Sequence, residues 1–250
     1  MENLLSCAMD IGEEMLISGA EVHRVEESIQ RMCAAFGAKR TDVFIITSSM
    51  VVTVFSDDNK TFTQTRRITT ASTDFEKLHR LNKLSRKICE KHLSEKEIRS
   101  ELSWVLSRKT YPLWLECIAY AVIAGAFTLF FGGNITEMAV SLFVGLVVRF
   151  GILLCDKTVH NKIFSKFFSA AVATFLAFIA VKGGIISSVD KVIIGNIMSL
   201  IPGIGLTNAL RDLFTGDSIA GLLRSIEAVL TALAIAAGYF LVAVLGGIVL

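Results

Sequence analysis

Five apolar segments follow residue 112 and constrain the fold more than any other feature of the chain. A helix needs about 20 mostly apolar residues to cross the hydrocarbon core of a bilayer. The segments therefore predict an all-α membrane domain of five transmembrane helices. They cover residues 113–131, 138–154, 163–181, 185–201 and 226–250.

The residues before these segments have a different composition. Residues 1–112 contain 17 Lys and Arg and 16 Asp and Glu, against 8 and 7 in residues 113–250. The chain is therefore predicted to consist of a charged cytoplasmic domain, residues 1–112, and a transmembrane domain, residues 113–250. Each part has a net charge of +1, which argues against nucleic-acid binding.

Within residues 1–112 the hydrophobic period changes from helical to strand-like and back again. Helical spacing over residues 4–36 gives way to alternation in residues 43–47, 51–55 and 61–67. Two capping-box patterns then open helices, with Thr73 and Ser94 as predicted N-caps. This order predicts an α+β domain with a small, mostly antiparallel sheet.

The fourth apolar segment ends at Pro202-Gly203, which predicts a broken helix. Proline lacks the N–H that the next helical turn requires, and glycine adds conformational freedom. A helix broken at membrane depth can present its N-terminal N–H groups to an anionic substrate. The alternative is a kinked helix that leads into an ordinary cytoplasmic loop.

Charged residues in or near the apolar segments suggest where a substrate could bind. Arg149, inside the second segment, either binds a carboxylate or gates a cavity, or it extends its side chain to the interface. Arg211 lies one helical turn beyond Asn208 and just past the break.

Three further charges could serve coupling or gating. Asp212 is positioned to pair with Arg224 and so to hold the segment closed. Glu227, at the start of the last segment, is either a proton carrier or a charge at the interface.

No pattern in the chain predicts an enzyme or a cofactor. The sequence has no phosphate-binding loop, nucleophile elbow or Cys-x-x-Cys motif. Cys89 and His92 have a metal-like spacing, but no further ligand follows at a matching interval. We therefore predict no catalytic residue, no metal and no cofactor.

The loop charges predict the orientation in the membrane. Lys and Arg are concentrated before the first segment, between the second and third, and between the fourth and fifth. By the positive-inside rule, the N-terminus is cytoplasmic and the C-terminus outside, in the inner (plasma) membrane. The acidic N-terminus shows no cleavable signal peptide.

Two groups of residues together resemble a known family. The sequence over residues 18–26 resembles the Gly-Ala-x-x-x-Arg-Val-Glu signature of the threonine/serine exporter family, and the hairpin at residues 44–55 is similar to the strands that follow it there. A second motif of that family, Pro-Gly…Asn-x-x-Arg-Asp…Gly-Asp…Gly…Arg, is matched by Pro202, Gly203, Asn208, Arg211, Asp212, Gly216, Asp217, Gly221 and Arg224. The resemblance covers nearly the whole chain.

The resemblance implies a transporter that works with a second subunit. Fused members carry a soluble domain and about ten spans, so a chain with about five resembles the larger subunit of the split version. Its partner would be a small all-helical membrane subunit. The resemblance leaves open whether the two subunits form a higher oligomer. The resemblance implies export driven by an ion gradient, of threonine and serine by fused members and of succinate-type dicarboxylates by the split pair.

Three hypotheses follow for the function. In the first, the chain is part of a secondary exporter of a small carboxylate, in which Pro202, Gly203 and Asn208 shape the site and Arg211 and Arg149 hold the substrate. The second is a membrane-anchored enzyme that uses the N-terminal domain, and the third is a regulatory or scaffold subunit that does not transport. The sequence does not choose among succinate, threonine and serine, because all three present a carboxylate.

Overall fold

The computed structural model describes residues 1–58, 60–108, 111–159 and 161–246, and the chain divides into two compact units. The first unit comprises Met1–Thr110 together with Ile204–Ser225. The second comprises Tyr111–Gly203 and Ile226–Leu250. Residues 204–225, which the sequence pattern assigns to the membrane half, thus belong with the N-terminal residues.

Along the chain, the first unit has helices before and after a small sheet. Its elements are α1 (Glu2–Ile17), α2 (Val22–Ala35), β1 (Ala38–Ile46), β2 (Ser49–Ser56), β3 (Thr61–Arg67), α3 (Phe75–Lys91) and α4 (Glu95–Ser107). The described strands form an antiparallel sheet in the order β1-β2-β3. The predicted α+β fold with an antiparallel sheet is confirmed.

The core of this unit follows from the two hydrophobic periods. On β2 the alternate residues Met50, Val52 and Val54 are fully buried, so one face of the sheet packs against helices. On α2 the buried residues recur at helical spacing and share one core with the sheet. Ser94 caps α4 in a complete capping box as predicted, whereas α3 is capped by Asp74 and not by Thr73.

The second unit is built from long apolar helices. Its elements are α5 (Leu113–Phe130), α6 (Ile135–Thr158), α7 (Lys162–Lys182) and the short α8 (Val189–Ile197). The chain continues as α9 (Gly203–Thr215), which lies in the first unit from Ile204 onward. The helix α10 (Ser218–Leu245) begins in the first unit and continues into the second. Many large apolar side chains of these helices are exposed, including Phe143 and Phe175, as expected of surfaces that face lipid.

Among the described residues, four helices are long and apolar enough to cross a membrane, namely α5, α6, α7 and α10. The prediction of five helical spans is therefore wrong. The predicted fourth span, residues 185–201, contains only α8, whose nine residues extend about 14 Å at 1.5 Å per residue. Residues 247–250 of the predicted last span lie outside the described residues.

The short helix α8 packs closely against α5. A Cβ atom added to Gly195 would lie 2.1 Å from Oγ1 of Thr128 and 2.7 Å from the carbonyl oxygen of Ala124. Only glycine permits this approach, which brings the two backbones together as in other membrane helix pairs. Because α8 also packs against α6 and α7, it is surrounded by three of the long helices. The interruption at Pro202 follows it, and the chain resumes as α9 at Gly203.

Candidate functional site

The two motifs that the sequence singles out meet inside the first unit. The turn between α1 and α2 is formed by residues 18–21, and Gly19 adopts a positive φ of 94° that disfavours a side chain. Residues 204–225, which form most of α9 and the start of α10, pack against this turn. We call this contact the α2 junction.

A buried carboxylate lies at the centre of the α2 junction. Asp212 is fully buried, and its Oδ1 accepts a hydrogen bond of 3.2 Å from the N–H of Val22, the first residue of α2. The positive end of the α2 dipole favours a negative charge at this place. Asp212 therefore caps a helix that lies 190 residues earlier in the chain.

Arg224 neutralises this carboxylate. Its Nη1 lies 3.2 Å from Oδ2 of Asp212, and its Nη2 donates a 2.8 Å hydrogen bond to the carbonyl of Ala20. The predicted pairing of Asp212 with Arg224 is thus present. Burial nevertheless raises the pKa of Asp212, because desolvation disfavours the charged form more than the nearby Arg224 favours it.

The other two polar residues of α9 also contact the turn. Nδ2 of Asn208 donates a 3.1 Å hydrogen bond to the carbonyl of Gly19. Arg211 forms an ion pair with Glu21, whose side chain is 15% exposed. Both residues, predicted as substrate contacts, therefore bind the α1–α2 turn of their own chain in this structure.

Two further acidic residues, Glu26 and Asp217, interact near the same junction. Burial, and then the charge of Asp217, raises the pKa of Glu26 to about 6. Oδ2 of Asp217 is buried and has no hydrogen-bond partner among the described residues. Sequence reasoning quoted both positions within the family motifs and included neither among the predicted site residues.

Arg149 lies in the second unit, with partners of its own. It forms an ion pair with Glu116 of α5, and its guanidinium carbon is 5.3 Å from the ring centre of Tyr120. The side chain is 16% exposed, and its Nε is buried without a hydrogen-bond partner in the described parts of the chain. Neither partner was singled out from the sequence, although Glu116 is an acidic residue at the start of an apolar segment.

The remaining predicted residues lie in the second unit and are not brought together with Arg149 by any hydrogen bond or ion pair of the described residues. Pro202 and Gly203 form the interruption between α8 and α9. Glu227 is exposed on α10, and its backbone carbonyl accepts a hydrogen bond from Thr231.

Sequence reasoning missed a buried glutamate at the start of α6. Glu137 is 3% exposed, forms a capping box with Asn134 and accepts a 3.0 Å hydrogen bond from the N–H of Ser188. The Asn-x-x-Glu spacing at residues 134–137 is the signal that could have identified it.

No group of three or more His, Cys, Asp or Glu side chains within the described ranges is arranged to hold a metal ion. The site residues described above include arginines, carboxylates and an amide. Arginine binds carboxylates through charge-assisted hydrogen bonds.

Apolar helices long enough to cross a bilayer, with charged residues paired within them, define an integral membrane protein. A family model described as "Putative threonine/serine exporter" matches residues 6–246. The chain belongs to this family of membrane exporters.

Curated relatives are distant in sequence but cover most of the chain. A "Probable threonine/serine exporter" of Mycobacterium tuberculosis is 25% identical over 88% of the chain and 42% of its own length. A "Probable succinate transporter subunit YjjP" of Klebsiella aerogenes is 24% identical over 94% of the chain and 90% of its own length.

"Pheromone-regulated membrane protein 10" of Candida albicans is 25% identical over 96% of the chain and 22% of its own length. The chain thus spans less than half of the Mycobacterium and Candida proteins and nearly all of the Klebsiella subunit. No solved structure matches the chain.

Proposed function

We propose that this chain is one subunit of a secondary exporter that moves a small carboxylate out of the cytoplasm. The substrate is a succinate-type dicarboxylate, or threonine or serine, and export is driven by an ion gradient. The second subunit is a small all-helical membrane protein. Support comes from the family and from the near full-length alignment with a relative whose name describes a transporter subunit.

One observation carries this proposal: a helix of nine residues, α8, packs among long apolar helices and ends in an interruption. At membrane depth the backbone polar groups of such an interruption must lie in protein or face water, and broken helices of this kind form substrate sites in transporters. We therefore place the substrate beside Pro202 and Gly203.

Arg149 is the proposed carboxylate ligand in the same unit. A charge inside an apolar helix costs about 2.5–3.5 kcal/mol on insertion scales unless it is paired, and Glu116 supplies the pairing here. A substrate carboxylate would replace Glu116 as the partner of Arg149. The buried Nε, which has no hydrogen-bond partner in the described chain, supplies a further donor for that carboxylate.

Asn208 and Arg211 remain proposed substrate contacts, and Asp212, Arg224 and Glu227 remain proposed coupling or gating groups. In the α2 junction the first four are engaged with the α1–α2 turn or with each other. Such contacts would hold one state of the transporter, and their release would free Asn208 and Arg211 for the substrate. Protonation of Asp212 would weaken its pairing with Arg224 and so favour release.

The path of the chain through the membrane supports an additional, non-helical crossing. Residues before α5 and residues 204–225 share one compact unit, so the intervening chain must cross the bilayer an even number of times. The three long helices α5, α6 and α7 account for three crossings. We therefore assign a fourth to residues 183–203, as a half-helix followed by irregular chain, and place the first unit in the cytoplasm and the chain end after α10 outside.

Efflux of labelled substrate tests the function. Cells that express this chain with the small partner should export succinate, threonine or serine faster than cells with either protein alone. If the partner alone transports at the full rate, this chain is a regulatory or scaffold subunit instead.

A pair of variants tests the role of Arg149. Arg149→Gln should abolish efflux while the protein remains in the membrane. The double variant Arg149→Gln/Glu116→Gln removes the unpaired Glu116 carboxylate, so it should restore stability without restoring efflux. If the double variant exports normally, Arg149 serves only to neutralise Glu116.

A further inference from the structure

A tryptophan of the first unit lies at the protein surface. Trp104, in the last turn of α4, is 52% exposed, although tryptophan is on average highly buried in folded proteins. Its neighbours Leu102 and Val105 on the same helix are buried in the core of the unit. The exposure of Trp104 therefore does not come from poor packing of α4, and its ring is available to a partner outside the chain.

Two arginines lie over this ring. The guanidinium carbon of Arg108, the residue after α4, is 4.4 Å from the ring centre, and that of Arg80 on α3 is 5.8 Å from it. A cation within about 6 Å of a tryptophan ring is attracted by the negative face of its π system. The two contacts hold the ring on the surface where α3 and α4 meet, with positive charge beside it.

One of the two cations beside the ring is not neutralised. Glu76, one turn from Arg80, is paired with that arginine, and Glu101, one turn from Trp104, is paired with a lysine of α3. Arg108 forms no ion pair with any described residue. Its charge is therefore available to an anion outside the chain.

The chain after α4 carries further exposed aromatic residues. Tyr111 is 61% exposed and Trp114 63%, and Trp114 belongs to α5, which is long and apolar enough to cross a bilayer. Both tryptophans of the chain thus lie within residues 104–114, with Arg108 and Lys109 between them. Tryptophan and tyrosine are enriched where a membrane meets water, and Lys and Arg flank spans on the cytoplasmic side.

We propose that Trp104 inserts into the headgroup region of a bilayer that contains anionic lipids. The indole ring suits this place because it combines a large apolar face with one N–H donor, so it can contact acyl chains and water at the same time. The guanidinium of Arg108 binds a lipid phosphate. Arg80 stays over the ring and fixes its orientation.

Two observations favour a lipid surface over a protein as the partner of Trp104. The ring precedes Leu113, where α5 begins, by only nine residues, so it lies on a segment that leads directly into a membrane helix. The free charge beside it is positive, and anionic headgroups attract basic residues next to a span. This inference goes beyond the proposed function, because it concerns neither the exported molecule nor its path.

Quenching of tryptophan fluorescence by brominated lipid tests the contact. The variant Trp114→Phe leaves Trp104 as the one tryptophan of the full chain, which is reconstituted into vesicles of equimolar phosphatidylcholine and phosphatidylglycerol. Phosphatidylcholine brominated near the headgroup end of its acyl chains should quench Trp104. Acrylamide in the water should quench it less than it quenches free N-acetyltryptophanamide. Trp104→Phe, which reports Trp114 in α5, is the positive control.

A matched pair of arginine variants tests the role of charge. In the Trp114→Phe background, Arg108→Gln should at least halve the quenching by brominated lipid, measured relative to unbrominated lipid, because the cation that binds the phosphate is lost. Arg40→Gln is the control, since Arg40 also lies over an aromatic ring, 5.4 Å from the centre of Phe55, and its side chain is 69% exposed. It should leave the quenching of Trp104 unchanged.

Three outcomes would overturn the inference. Trp104 faces water if brominated lipid does not quench it and acrylamide quenches it as strongly as the free amide. It contacts the proposed partner subunit instead if brominated lipid has no effect and acrylamide quenching falls only when that subunit is added. Equal lipid quenching in Arg108→Gln and Arg40→Gln would remove the anionic headgroup. Efflux enters none of these measurements, so the inference and the exporter proposal can fail separately.

Discussion

The contacts of Asp212 show how one residue can hold two distant segments together. Its carboxylate binds the first N–H of α2 and the guanidinium of Arg224, and none of its surface reaches solvent. Removing one partner of a buried ion pair leaves the other charge without compensation, which costs about 3–5 kcal/mol.

We therefore expect Asp212→Asn to lower the melting temperature of the purified chain by several degrees. Asp42→Asn is a matched control, because Asp42 pairs with Arg40 at the protein surface, where ion pairs contribute little. Thermal denaturation in detergent provides the measurement. Equal shifts for the two variants would show that the Asp212 pair does not hold the α2 junction.

Glu26 should make stability depend on pH. Burial and the charge of Asp217 raise its pKa from 4.5 to about 6, while a hydrogen bond from the backbone of Ile45 and the charge of His23 act in the opposite direction. Between these two pH values the folded chain binds a proton that the unfolded chain has released. The free energy of unfolding should therefore increase as the pH falls from about 6 to about 4.5.

Glu26→Gln should remove this part of the pH dependence. Glu27→Gln, at the next residue, is the control, because the Glu27 side chain is 47% exposed and pairs with Arg31 on the surface. Melting temperatures between pH 4.5 and 7.5 would test the effect. An unchanged slope in Glu26→Gln would show that Glu26 does not titrate in this range.

At the scale of elements, a local pattern located the start of α4, whereas hydropathy did not predict the length of the helix in the fourth apolar segment. The capping box at Ser94 formed as predicted, because its bonds involve residues three positions apart. The predicted span over residues 185–201 did not form, although its hydropathy resembles that of its neighbours. Hydropathy reflects the free energy of transferring side chains from water to an apolar phase. It does not indicate where a helix ends.

The packing of α8 against α5 provides a prediction at this scale. Gly195→Ala should displace the two helices, because the added Cβ would overlap the backbone of α5. Overpacking of this kind costs about 1–3 kcal/mol, and efflux should fall because the interruption at Pro202 would move. Gly151→Ala on α6, where a Cβ meets no atom within 4 Å, is the matched control, and equal efflux in the two variants would contradict this role for α8.

At the scale of the whole molecule, the proposed crossing by residues 183–203 has a direct test. Single cysteines can be introduced into a cysteine-free background at Asp58, Ser187 and Thr215, which lie in the β2–β3 turn, before α8 and at the end of α9. Labelling by an impermeant thiol reagent should reach Asp58→Cys and Thr215→Cys from one side of the membrane. Ser187→Cys should react from the other side.

If Ser187→Cys and Thr215→Cys react from the same side, the chain does not cross between them. The short helix α8 would then enter and leave by one face, and the proposed placement of the chain end outside would fail with it. The result does not depend on substrate or on the partner subunit, so it tests the path of the chain alone.

The sequence by itself determined the charged first part, the α+β order, the apolar helices and the family, because composition, periodicity and motif spacing are properties of neighbouring residues. Only the tertiary structure decided which distant residues are partners. Asp212 contacts a helix 190 residues earlier, and Arg149 pairs with a glutamate 33 residues away. The sequence predicts Arg211 as a cation beside a helix break, yet in the folded chain it binds Glu21. The path of the backbone decides which charged residues become partners.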